Sequence, residues 1–140
     1  ADMNLLEVLR DQFQLTAAKC GCNCGDCGAC SVILNGVLVK SCVTNALTCD
    51  GMEVETLEGM AAGPGKLSIL QEAYHLNCAA QCGFCTPGMI MASLVLLRQN
   101  PDPTEEEIKE ALAGNLCRCT GYVNIIKAVR AAATAMKGVE

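Results

Sequence analysis

Eight of the twelve cysteines in this 140-residue chain fall into two sets of four whose close spacing suits ligation of a soft metal. Cys22, Cys27 and Cys30 read C-x4-C-x2-C, and Cys42 follows after eleven residues. That is the plant-type spacing by which four thiolates hold one [2Fe–2S] cluster. A loop of this kind must curl tightly round an inorganic core and aim backbone N–H groups at sulfur, so it needs small residues. Gly21, Gly25, Gly28 and Ala29 supply them. Cys82 and Cys85 in QCGFCTPG, with Cys117 and Cys119 in NLCRCTGY, make the second set. Thr86 offers an N-cap and Pro87 a first helical residue directly after the first pair, and Thr120 offers a cap after the second. Thiolates at such positive helix ends are stabilised.

Tetrahedral zinc is the alternative for either set, because four cysteines in two clusters also suit Zn²⁺. A single histidine, His75, excludes a Cys2His2 finger and a two-His Rieske centre. The run Cys24-x2-Cys27-x2-Cys30 opens like a [4Fe–4S] motif but lacks the fourth cysteine, followed by proline, three residues on. Cys20, Cys24, Cys49 and Cys78 stand outside both sets and are expected to be free thiols, since cysteine packs well as a small hydrophobe. His75 reads as a structural or surface residue, Met89, Met91 and Leu94 as core, and Glu105, Glu106 and Glu107 as a solvated first helical turn.

The elements that must position these thiols divide the chain. Asp2 is expected to cap a first helix that carries Leu5, Leu6, Val8 and Leu9 and ends near Phe13. Residues 31–34 and 37–40 are short aliphatic runs around Asn35-Gly36, the dipeptide that best tolerates the positive φ angles of a two-residue hairpin turn. Asp50-Gly51 marks a turn before a strand at 52–56. Three glycines and a proline in residues 58–66 break both helix and strand, so we place a boundary there: a first domain at 1–58, a linker at 59–66 that lacks phosphate-loop spacing, and a second domain at 67–140. Helices are expected at 67–77, 87–99, 104–113 and 123–136, with Thr104 and Glu107 as a capping box. The fold class is α+β.

Composition narrows the function. A net charge of −5 and 3% aromatic residues argue against nucleic acid, which needs clustered cations and stacking rings. The longest apolar run, 89–97, is far shorter than the roughly 20 residues of a membrane span, and no export signal opens the chain. Ample aliphatic residues and closely clustered cysteines favour metal ligation in a reducing compartment over disulfides, so a cytoplasmic location is expected.

The blocks KCGCNCGDCGACSV, SCVTNALTCDGMEVETLEG, QCGFCTPGMIM and GNLCRCTGY together resemble the small iron–sulfur subunit of the molybdenum hydroxylases, the xanthine dehydrogenase and aldehyde oxidoreductase family, over nearly the whole chain. The resemblance implies a β-grasp ferredoxin-like domain with an outer [2Fe–2S] cluster on Cys22, Cys27, Cys30 and Cys42. It implies a four-helix-bundle domain with an inner cluster on Cys82, Cys85, Cys117 and Cys119. Electrons would come from molybdopterin in a large partner subunit, pass the inner cluster and then the outer, and leave to an FAD-binding subunit or another acceptor. Gln81 and Cys119 match the positions that face the pterin. No substrate chemistry would occur on this chain. The family usually places a β-hairpin before the first helix, and this chain starts at the helix. The sheet is therefore expected to keep an unpaired edge and an uncovered face, which upstream residues would complete.

Overall fold

The computed structural model describes residues 2–138; Ala1, Val139 and Glu140, which fall within the expected domains, lie outside the described residues. The first helix, α1 (Leu5–Glu7), is capped by Asn4 rather than Asp2. Asn4 Oδ1 accepts the Glu7 N–H at 2.9 Å while the Glu7 carboxylate accepts the Asn4 N–H at 2.8 Å. This reciprocal pair needs a spacing of three, which Asn4 has and Asp2 lacks. The helix then widens into a π turn over Val8–Gln12, closed by the Phe13 N–H on the Val8 carbonyl. Arg10 donates to the carbonyls of Thr16 and Ala18, both at 2.8 Å, and so ties down the chain that leads to the first cysteine loop.

Strands β1 (Ser31–Leu34) and β2 (Val37–Lys40) form the expected hairpin, with Asn35 at φ 47° and Gly36 at φ 81°. The third strand, β3 (Val54–Glu55), pairs antiparallel with the other side of β1, giving the order β2-β1-β3. It is shorter than the expected 52–56 because Glu53 is bonded to the hairpin turn: its N–H goes to Asn35 Oδ1 and its carbonyl receives the Asn35 N–H, both at 2.9 Å. Alternation assigns the faces. Val32, Leu34, Val39 and Val54 pack with Leu5, Leu6 and Leu9. Leu38, opposite the fully buried Ile33, packs into the helical core. The expectation of an uncovered face is thus corrected: Leu5 and Leu6 of α1, with Leu9 of the π turn, cover one face, and a helix from later in the chain covers the other.

That helix is α3 (Thr86–Gln99), which follows α2 (Ile69–Leu76) and precedes α4 (Glu105–Ala111) and α5 (Val123–Lys137). Its residues Pro87 to Ser93 are all buried, as a helix must be when it lies between a sheet on one side and helices on the other. Tyr74 and Ser93 satisfy each other's hydroxyls at 2.9 Å inside this core, which Leu70, Met89, Ile108, Ile125 and Val129 fill. Met91 is also buried, and Leu94 partly so. Helix α2 starts two residues later than expected because Ser68 and Gln71 form a capping box; the box at Thr104 and Glu107 is present as expected. In the segment expected as a linker, Met60 ends a 3-10 turn (Leu57–Met60) and packs on the helical core, and Gly63 and Lys66 form an isolated bridge. Among the described residues no helix is long and apolar enough to cross a membrane.

Candidate metal centres

The first cysteine loop bends through positive φ at Asn23, Gly25 and Gly28, and this curl aims three backbone N–H groups at one sulfur. Cys22 Sγ accepts from Cys24 at 3.5 Å, from Asp26 at 3.3 Å and from Cys27 at 3.4 Å. These donors, the Cys27 N–H first, hold the Cys22 thiol down to about 6, close to the thiolate a metal needs. The hairpin supplies the other half of the site. Ser31 pairs with Lys40, and Ser41 donates both its N–H (3.3 Å) and its hydroxyl (2.6 Å) to the Cys30 carbonyl. Cys42, in the 3-10 turn Ser41–Val43, therefore lies against Cys30, and burial together with the Cys30 thiol pushes it up to about 11. Cys24 turns to Asp26, whose carboxylate accepts its thiol at 3.3 Å and raises it to about 11.

The second set is built at two helix starts. Cys85 is itself the N-cap residue of α3; the expected cap, Thr86, is already helical, and its hydroxyl has no hydrogen-bond partner among the described residues. Cys82 lies across Gly83, which takes φ 79°. Before α5, Thr120 donates its N–H to Cys117 Sγ at 3.4 Å, with its hydroxyl 3.1 Å from the same sulfur. Thr120 Oγ1 also accepts the Tyr122 N–H at 3.2 Å, so it orders this turn without being the N-cap, a position held by Tyr122. Tyr122 occupies the left-handed region at φ 68°, and its hydroxyl accepts the Cys117 N–H at 2.9 Å. Cys119 Sγ lies 3.6 Å from Cys82 Sγ. Burial, then Cys117, pushes the Cys85 thiol up to about 12. Burial would also raise Cys117, but the Thr120 hydroxyl and N–H outweigh it and leave this thiol lowered.

In the first set Cys30 and Cys42 pack in one buried cluster, and in the second Cys82 and Cys119 stand sulfur to sulfur at 3.6 Å while Cys85 and Cys117 both pack against the helical core. Among the described residues no three His, Cys, Asp or Glu side chains gather tightly enough to hold one metal ion. Four thiols per set, with N–H groups aimed at sulfur, are the donor chemistry that a [2Fe–2S] cluster would take.

The two cysteine loops also touch each other. Leu116, next to Cys117, donates its N–H to the carbonyl of Cys27 at 2.9 Å. A Cβ on Gly21 would lie 3.6 Å from the Phe84 ring, and one on Gly88 only 2.1 Å from the Gly28 carbonyl. Gln81 is exposed beside Cys82, and Cys20, Cys78 and His75 are exposed. Cys49 is buried with its thiol on the Asn45 carbonyl. Sequence reading missed Leu116, Asn115, Tyr122 and Gly88; only the last carried a signal, as a glycine inside a helical pattern.

Residues 56–130 match the family model described as a [2Fe-2S] binding domain. The chain is 53% identical over 126 residues to the nicotinate dehydrogenase small FeS subunit of Eubacterium barkeri, covering 90% of this chain and 80% of that one. It is 51% identical to the xanthine dehydrogenase iron-sulfur-binding subunit of Escherichia coli O157:H7, covering 89% and 79%. This chain belongs to the small iron–sulfur subunits of the molybdenum hydroxylases. Quinoline 2-oxidoreductase from Pseudomonas putida 86 superposes with a TM-score of 0.93 at 42% identity, over 97% of this chain and 85% of that one. Aldehyde oxidoreductase from Desulfovibrio gigas gives 0.94 at 44%, over all of this chain and 16% of that longer one. The subunit is accordingly a [2Fe–2S]-binding, electron-transferring component of an oxidoreductase.

Proposed function

We propose that the subunit holds two [2Fe–2S] clusters, one on Cys22, Cys27, Cys30 and Cys42 and one on Cys82, Cys85, Cys117 and Cys119. When bound, each cluster supplies a one-electron carrier. The observation that carries this reading is the approach of Cys82 and Cys119 sulfurs to 3.6 Å across 37 positions, together with the N–H groups directed at the Cys22 and Cys117 sulfurs. The chain's own work is to hold the thiolates, direct N–H groups at their sulfurs and fix one site against the other, which together set potential and spacing. The first site belongs to the β-grasp-like half, residues 1–58, and the second to the four-helix half, residues 67–140, joined by 59–66.

The second site is the entry side. Cys82 and Cys119 are exposed there, and Gln81 beside them presents an amide with both donors and an acceptor. Gln81 and Cys119 face molybdopterin in a large partner subunit, and electrons leave from the first site toward an FAD-binding subunit. Substrate is oxidised on the large partner, in the cytoplasm, and this chain sets none of its selectivity. Iron and acid-labile sulfide analysis with spin counting on the reduced complex tests the reading. Four irons, four sulfides and two paramagnetic centres per chain are expected. One centre, or stoichiometric zinc, refutes it.

A further inference from the structure

Three consecutive residues of the second cysteine loop each bond to the first half of the chain. The Gly114 carbonyl accepts from Lys40 Nζ, Asn115 Nδ2 donates to the Gly28 carbonyl at 3.0 Å and lies 3.4 Å from Ser31 Oγ, and the Leu116 N–H donates to the Cys27 carbonyl at 2.9 Å. Asn115 differs from its neighbours in being sealed in: it is 2% exposed, and Ser31 opposite is 1% exposed. Its own position is fixed by its N–H on the Leu112 carbonyl, at the end of α4. The Asn115 Oδ1 has no partner among the described residues, so the side chain's polar hold on the other half runs through Nδ2.

Gly28 is where both parts of the second site meet the first. It lies between Cys27 and Cys30, at φ 72°, and a Cβ there would stand 2.4 Å from the Gly114 carbonyl and 2.6 Å from Asn115 Nδ2. From the α3 side, Gly88, three residues after Cys85, abuts the same Gly28 carbonyl. Backbones this close leave no room for adjustment by side-chain repacking, so the polar contact at the centre fixes the spacing.

We infer that Asn115 is a positioning residue for electron passage between the two sites: its amide holds the two cysteine loops at the separation at which the Leu116 N–H bonds the Cys27 carbonyl. It touches no thiol and carries no electron. The inference rests on the two-cluster reading and adds to it a residue that sets how well the clusters communicate. An apolar side chain of similar size would fill the volume but remove the donor that reaches the Gly28 carbonyl from the second loop, leaving it only the Ser31 N–H of its own half, at 3.1 Å.

The test uses the purified complex containing the whole chain, with Asn115→Ala, Asn115→Ser and, as a milder change to the neighbouring contact on the Gly114 carbonyl, Lys40→Met. Iron and sulfide content, the two cluster signals and their mutual magnetic splitting after dithionite reduction, the rate of electron equilibration between clusters, and hydrogen exchange at the Leu116 amide are measured together. Expected in the Asn115 variants are full iron and both signals, reduced splitting, faster Leu116 exchange and slower equilibration than in the parent complex. Lys40→Met should move the same readouts in the same direction by less. Unchanged splitting and an equally protected Leu116 amide would overturn the inference. Loss of a cluster in both Asn115 variants would also overturn it, because Asn115 would then serve cluster retention. A single cluster in the unmodified complex would instead refute the two-cluster reading before any variant is made.

Discussion

Cys22 and Cys24 stand two residues apart on one glycine-rich loop, and their surroundings drive them in opposite directions. Three backbone N–H groups favour the Cys22 thiolate, while the Asp26 carboxylate keeps the Cys24 thiol protonated. Cys22→Ser should therefore abolish one cluster signal, and Cys24→Ser should leave both, as read by spin counting. Loss of a signal on replacing Cys24 would reinstate the Cys24, Cys27, Cys30 run as ligands. At the second site Tyr122 keeps a backbone conformation that a bulky residue rarely adopts, with its hydroxyl accepting the Cys117 N–H. Tyr122→Phe leaves that partly buried donor unpaired and should cost about 1–3 kcal/mol, measured by denaturant unfolding. Gln81→Ala is expected to slow reduction of the complex by substrate with iron content unchanged. An unaltered rate would remove Gln81 from the route.

Among the elements, α3 bears the tightest constraint, because Gly88 in its first turn faces the Gly28 carbonyl. Gly88→Ala places a methyl 2.1 Å from that oxygen, so either α3 or the first cysteine loop must move. The expected result is a loss of about 1–3 kcal/mol or more in stability, together with altered signals from both clusters. An unperturbed spectrum with unchanged stability would show that the helix start is more pliant than its packing indicates. The elements were legible where local chemistry decides them. Asn35-Gly36 marked the hairpin and Thr104 with Glu107 marked the start of α4, because a positive-φ turn and a reciprocal cap are written in adjacent residues. The same reciprocal spacing stands in Asn4 with Glu7 and in Ser68 with Gln71, and it marks the helix starts more closely than Asp2 and Leu67 do. The π turn at Val8–Gln12 and the coverage of the sheet by α3 were not readable, since both depend on partners far along the chain. So it is with the site. The eight cysteines announce themselves by spacing, whereas Asn115 meets Gly28 across 87 positions and looks like any loop asparagine.

At the scale of the whole chain, the sheet and the helices are joined at a second place, remote from the cysteine loops. The Arg98 guanidinium of α3 forks onto the Glu55 carboxylate of β3 at 2.7 and 2.8 Å. Arg98 holds the Glu55 carboxyl below the usual carboxylate range. A depressed folded-state pKa contributes stability that is fully present above the unfolded value and disappears as pH falls through the folded one. Thermal unfolding against pH should therefore show Glu55→Gln less stable than the parent at neutral pH, by about 0.5–1 kcal/mol because both groups are partly exposed. The difference should vanish in acid; a constant gap would dismiss the ion pair as its source. The sulfur pairs carry a different consequence. Cys82 and Cys119 are 37 positions apart and enclose all of α3 and α4. Once bridged by a cluster, they close a loop in the unfolded chain as a disulfide would, and the chain-entropy relation for a ring of that size gives about 4 kcal/mol. That is a large part of the 5–15 kcal/mol by which a domain of ordinary stability is held. Iron would then act as a staple as well as a carrier, and oxidative loss of such a cluster would unfasten the helices and expose the chain to proteolysis at the moment it ceased to conduct.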